Sequence, residues 1–160
     1  MNSKYNFECE VFASIDELEP KIQELVQLAR KQTERSYAPY SNFHVGAALL
    51  LESGEIYLGC NQENASYPLC MCAERVALYN LGAEKEKFKI KALAITATNP
   101  DKPLEEVCMP CGACRQVIHE FEQRQDEEFD IYITSENNEI VKIDGIETLL
   151  PHSFTKNLLL

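Results

Sequence analysis

The sequence predicts an α/β protein: a mixed five-stranded sheet held between helical layers, a three-layer α/β/α sandwich. Three observations carry this. A pair of alternating apolar segments is joined by a tight turn, a later strand is apolar on both faces, and helical patterns fall between the strands.

The elements follow in order. Ser14, Ile15, Asp16 and Glu17 fit a capping box, and Ile22, Leu25, Val26 and Ala29 recur at helical spacing, so a helix is expected over residues 15–35. Pro20 is the alternative first turn. The segment APYS ends the helix, because a residue before proline is driven out of helical geometry. Phe43, Val45, Ala47, Leu49 and Leu51 alternate with other residues, ESGE turns the chain, and IYLGC completes a hairpin. Helical spacing resumes over residues 72–81, with Gly82 at the expected C-cap.

KALAITAT, residues 91–98, reads as a strand covered on both faces. The proline-rich NPDKPLEEVCMP is a loop leading to a helix near Cys111 whose buried side uses Val117, Ile118 and Phe121. FDIYIT and EIVKI are two last strands around the turn SENN. At 160 residues the chain suits one domain, residues 15–160, able to bury roughly two thirds of its unfolded surface. Residues 1–14 are an N-terminal extension with no assigned role.

Composition narrows the function. The chain is 45% hydrophobic and 26% charged, the balance of a soluble globular protein. A net charge of −11 opposes nucleic-acid binding, which depends on neutralising phosphates. The acidic residues near the N-terminus and the short apolar runs predict neither a signal peptide nor a membrane span, hence a cytoplasmic protein. The count of seven cysteines is odd, and the C-x-C and C-x-x-C spacings among them then favour metal or catalysis over disulfides.

Two of those clusters, PLCMCAERVALYN and CMPCGACRQ, start helices. Helix N-termini stabilise thiolates, so Cys72, Cys111 and Cys114 could surround one Zn²⁺ at Zn–S distances of about 2.3 Å. A catalytic site keeps one position for water and needs a base beside it, and Glu74 lies two residues after Cys72. Arg75 foremost, or Arg115, would offset three thiolates by donating to sulfur. Spacing alone leaves two alternatives open. Cys70 could close a four-cysteine structural site, making Glu74 an ordinary first-turn acid, and Cys108 with Cys111 forms a competing C-x-x-C register. Cys9, Cys60, Cys70 and Cys108 otherwise read as packing or incidental thiols. His44, His119 and His152 are not at ligand spacing from one another.

C-x-E followed by P-C-x-x-C is the signature of zinc deaminases in its three-cysteine form. YAPYSNFHVGAALL, GCNQENASYPLCMCAERVAL, PCGACRQVI and LLPHSF, in this order over residues 34–154, resemble the small homotetrameric cytidine deaminases. The resemblance implies a cytidine-deaminase-like fold and conversion of cytidine or 2′-deoxycytidine to the uracil nucleoside, in pyrimidine salvage. It implies Zn²⁺ on Cys72, Cys111 and Cys114, with Glu74 as proton shuttle. It places Asn61 and Glu63 on the ribose hydroxyls, Phe43 against the pyrimidine, and the Ala73 backbone N–H on the base carbonyl. Phe154 would reach the base of a neighbouring subunit, and Gln116 would lie behind the ligands near Arg75. Another aminopyrimidine nucleoside on the same scaffold, or a non-catalytic zinc module, is the alternative reading.

Overall fold

The computed structural model describes residues 7–104, 106–134, 136 and 139–159. Residues 1–6 of the extension, and Ser135, Asn137 and Asn138 of the expected SENN turn, lie outside the described residues.

The expected first helix is divided. Ser14 does form a capping box with Glu17, but around a single 3-10 turn, Ile15–Glu17. The α-helix α1 begins at Pro20 and runs Pro20–Thr33. Glu19 is extended (φ −60, ψ 145), the conformation that a following proline imposes, and this separates the two segments. Strand β2 (His44–Leu51) and strand β3 (Ile56–Cys60) form the predicted antiparallel hairpin. Helix α2 spans Ala73–Glu84, β4 Ile90–Thr98, α3 Gly112–Gln125, β5 Asp130–Thr134 and β6 Ile140–Asp144.

Gly82 is not a C-cap. It lies inside α2, where a Cβ would stand 3.1 Å from the ring of Phe121 and the guanidinium of Arg124. Close helix packing, not a left-handed cap, uses the missing side chain. Arg124 in turn lies over the rings of Phe88 and Phe121 at 4.7 and 4.4 Å, a cation–π contact at the end of α3.

The sheet has six strands rather than five, in the order β1-β6-β5-β4-β2-β3. The added edge strand, β1 (Glu10–Phe12), comes from the extension and pairs antiparallel with β6. Lys142 of β6 secures it, donating to Glu10 at 3.0 Å beside Asp144 at 2.7 Å. Within the sheet β4 and β5 run parallel, with α3 as their crossover.

Strand alternation explains the layers. Ala47, Leu49, Leu93 and Ile95 face α2 and α3, packing with Leu78, Leu81, Ile118 and Phe121. Ala48, Leu50, Ala92 and Ala94 face Leu25, Val26 and Ala29 of α1. Burying each large side chain contributes about 1.5–3 kcal/mol. Among the described residues no helix is long and apolar enough to cross a membrane.

Two positions in this frame are tightly constrained. A Cβ on Gly59 of β3 would stand 2.3 Å from the Ala73 carbonyl oxygen and 2.6 Å from the Ala77 nitrogen. Gly59→Ala must therefore push the start of α2 off the sheet. It is expected to cost roughly 1–3 kcal/mol of stability, as thermal unfolding would show.

Glu122 of α3 is 5% exposed and accepts from the backbone N–H groups of Ile146 (3.2 Å) and Phe129 (3.5 Å). Burial pushes its carboxyl up to about 8 from the ordinary 4.5, against those two donors. The folded chain then binds the proton more tightly than the unfolded chain, so this residue favours folding at low pH. Stability is lost as pH rises from the unfolded to the folded value. Glu122→Gln keeps an acceptor without the charge, and its melting temperature is expected to fall less than the wild type's between about pH 5 and 8.

Candidate active site

Cys72 and Cys111 are the N-cap residues of α2 and α3, and Cys114 lies in the first turn of α3. Neither cap makes a side-chain capping bond, so the sulfurs are directed elsewhere. They meet one another. Cys72 Sγ lies 3.9 Å from Cys111 Sγ, and Cys111 Sγ 3.6 Å from Cys114 Sγ, with all three within 4.8 Å. Two sulfurs each about 2.3 Å from one tetrahedral Zn²⁺ stand ~3.8 Å apart, so the donor set and its spacing fit that ion.

A chain-spanning clamp delivers Cys72. Gln62 and Met71 exchange backbone hydrogen bonds at 2.9 Å each, while Glu63 N–H donates to the Tyr37 carbonyl at 2.8 Å. The loop after β3 is thereby closed just before the helix starts.

Both sequence alternatives for the ligand set are disfavoured. Cys70 is turned to Asn64, accepting from its backbone N–H at 3.3 Å, and among the described residues the cluster comprises Cys72, Cys111 and Cys114 without Cys70 or Cys108. Cys70 and Cys108 instead line the adjoining cavity, and burial pushes the Cys108 thiol up.

The charge within the cluster is uneven. A hydrogen bond from Cys114, and then Arg75, lowers the Cys72 thiol to about 5, while Cys114 as donor is pushed up. Arg75 Nη2 donates to Cys72 Sγ at 3.5 Å, as expected, and its Nε is buried without a protein partner. Arg115 does not reach sulfur: it donates to the carbonyls of Pro110 (2.8 Å) and Leu149 (2.9 Å).

Glu74, 4% exposed, is raised in pKa chiefly by burial. It shares with Cys72 and Cys111 a cavity of about 270 Å³, near the lower end of small-molecule sites. Phe43, Asn61 and Glu63 line the same cavity. Asn61 holds its wall, accepting from Val45 N–H at 2.7 Å and donating to the Phe43 carbonyl at 2.8 Å. Glu63 accepts from Tyr40 N–H at 2.8 Å and from the Ser41 hydroxyl, which lowers its pKa. Ser41 was not singled out by sequence reasoning, although its hydroxyl two residues before Phe43 was the available signal.

Ala73 is the first residue of α2 and wholly buried, so its backbone N–H has no acceptor within the helix. Two expected residues stand apart from the cavity. Phe154 is 55% exposed, and Gln116 donates from Nε2 to the Phe154 carbonyl at 2.9 Å, joining α3 to the C-terminal segment.

Residues 19–126 match the family model described as the cytidine and deoxycytidylate deaminase zinc-binding region. A cytidine deaminase of Sporosarcina psychrophila is 40% identical over 135 residues, covering 84% of this chain and 92% of its own. The chain belongs to the cytidine deaminase family. Among solved structures, cytidine deaminase from Burkholderia pseudomallei superposes with a TM-score of 0.71 at 36% identity, covering 82% of this chain and 97% of that one. The enzyme from Mycobacterium tuberculosis gives 0.63 at 31% identity, covering 86% and 99%.

The depressed Cys72 thiol has a measurable consequence. In metal-free protein, alkylation of Cys72 is expected to persist with little loss from pH 8 down to about pH 6, since the thiolate is held above about 5. Arg75→Ala removes one of the three neighbours, Cys114, Arg75 and Cys111, that lower this thiol, and the alkylation midpoint, read by mass spectrometry against pH, should move upward.

Proposed function

We propose that this chain hydrolyses cytidine and 2′-deoxycytidine to uridine and 2′-deoxyuridine with release of ammonia. It works as a cytoplasmic homotetramer with Zn²⁺ as cofactor and does not bind nucleic acid. The observation that carries this reading is a buried carboxyl, Glu74, facing the same small cavity as a three-cysteine metal cluster in a chain of this family.

Cys72, Cys111 and Cys114 would hold the metal, which when bound supplies a Lewis acid that makes water nucleophilic near neutral pH. The protein's own groups perform the proton transfers. Glu74 takes a proton from the attacking water and passes it to N3 of the base, then takes the remaining proton from the new C4 hydroxyl and delivers it to the departing 4-amino group, so that water and cytidine become uridine and ammonia. Its burial supports this, since a carboxyl whose pKa is raised by burial is a better proton acceptor than an exposed one.

Binding follows from the cavity walls. The Ala73 N–H, at the positive end of α2, donates to the base carbonyl, and Phe43 packs on the pyrimidine. Asn61 and Glu63 receive the ribose hydroxyls. Glu63, held ionised by Ser41 and Tyr40, accepts from O–H groups and repels a 5′-phosphate, which favours a nucleoside over a nucleotide. Phe154, exposed in the single chain, completes the site of a neighbouring copy. Arg75 and Gln116 support the ligands and the C-terminal segment from behind.

The test is Glu74→Gln. It is expected to keep one Zn²⁺ per chain and to bind uridine, while kcat on cytidine falls by roughly two to four orders of magnitude. Metal analysis, calorimetry and the fall in ultraviolet absorbance on deamination read the three quantities. Unchanged turnover would refute the assignment.

A further inference from the structure

Phe43 and Val45 line the cavity, so strand alternation turns His44 to the opposite side. There its ring lies in a continuous chain of side chains. Ser36 Oγ is 2.5 Å from Nδ1, Nε2 is 2.9 Å from Asn42 Oδ1, and Asn42 Nδ2 donates to Asp101 at 2.8 Å. The carboxylate end sets the direction. Asp101 only accepts, so the Asn42 amide presents its N–H to Asp101 and its oxygen to His44, which assigns a proton to Nε2. The Ser36 hydroxyl also lies 2.8 Å from the carbonyl of Thr33, the last residue of α1.

This chain therefore joins the end of α1 to the loop after β4, passing behind the strand that walls the cavity. Asn42 has a φ of 53, in the left-handed region that few residues other than glycine, asparagine and aspartate enter. Both polar atoms of its amide are engaged there, the oxygen by His44 and the nitrogen by Asp101. Its neighbours are the residues the site needs: Phe43, against the base, and Ser41, whose hydroxyl fixes Glu63.

We propose that His44 is a positioning residue for the reaction: it holds Asn42 in the left-handed turn that aims Phe43 and Ser41 at the bound nucleoside. The inference rests on the reading of the cavity as a nucleoside site. His44 itself touches no substrate and lies on the far side of the strand from the cysteine cluster, so its loss acts on binding and not on the chemical step.

The experiment compares wild type, His44→Ala and Ser36→Ala as zinc-loaded proteins acting on cytidine. His44→Ala is expected to raise KM about ten-fold and Ser36→Ala about three-fold, with kcat within about two-fold and zinc content unchanged, the size expected for one lost hydrogen bond or two. The double variant should raise KM no further than His44→Ala alone, because the two side chains act in one chain. A structural role only would lower the melting temperature and leave KM unchanged, which overturns the proposal, as does a parallel fall in kcat. Ser36→Ala removes one hydroxyl and supplies the same comparison if His44→Ala does not fold. A crystal structure of either variant gives a readout independent of substrate: Phe43 displaced from the cavity wall supports the proposal, and Asn42 and Phe43 unmoved overturn it. Wild-type protein that releases no ammonia from cytidine refutes the deaminase reading and leaves that structural comparison to decide the role of His44.

Discussion

Two helix N-termini meet with their capping sulfurs 3.9 Å apart, and the remainder of the site is arranged around that meeting. A serine or aspartate would be the stabilising choice at either cap, contributing typically about 1 kcal/mol by bonding to the first-turn N–H groups. Cys72 and Cys111 make no such bond. The helices therefore retain free N–H groups and the full positive end of each dipole, directed at three sulfurs and at the cavity beside them. Local helix stability is given up for an electrostatic field, and the buried core of α2 and α3 against β2 and β4 offsets the loss.

The cavity wall opposite the helices is equally preorganised. Asn61 uses one donor and one acceptor on the backbone around Val45, yet its second N–H and second lone pair remain. Glu63 accepts three hydrogen bonds from Tyr40 and Ser41, and a carboxylate has about four acceptor sites. Side chains immobilised in this way lose little further entropy when a ligand arrives, so whatever they bind is bound in a fixed pose. A ligand held in a fixed pose beside a buried carboxyl is what proton transfer to a ring nitrogen requires.

The parts of the structure legible in the sequence were those with a local physical signal. Alternation over Phe43–Leu51 and the two-faced strand near Lys91 marked the central sheet, and C-x-E with P-C-x-x-C marked the metal cluster through its spacing on two helices. The parts that were missed depend on distant partners. Residues 10–12 are too few to show a period, and they become a strand only because β6 presents a free edge and Lys142 a cation for Glu10. Gly82 carried the symbol of a helix end, but its environment is set by Phe121 and Arg124, some forty residues later. The division at Pro20 was readable as an alternative, and the extended Glu19 shows the proline outweighing the capping box. Spacing alone did not separate Cys114 from Cys108, although the deaminase motif chose Cys114; in three dimensions Cys114 lies within the cluster and Cys108 outside it.

The two arginines show why a motif does not assign its own roles. Arg75 directly follows C-x-E and Arg115 directly follows P-C-x-x-C, and either could compensate a centre in which three thiolates exceed the charge of a divalent ion. Geometry separates them. Arg115 spends Nε and Nη1 on the carbonyls of Pro110 and Leu149, binding the loop before α3 to the C-terminal segment. Arg75 keeps Nη2 on Cys72 and a buried Nε without a protein partner, a guanidinium whose charge is committed to the sulfurs and not to the backbone. Withdrawing electron density from one thiolate lessens the negative charge that would otherwise oppose ionising water at the metal. Arg75 is therefore the arginine placed to offset the charge of three thiolates, whereas Arg115 ties the loop before α3 to the C-terminal segment.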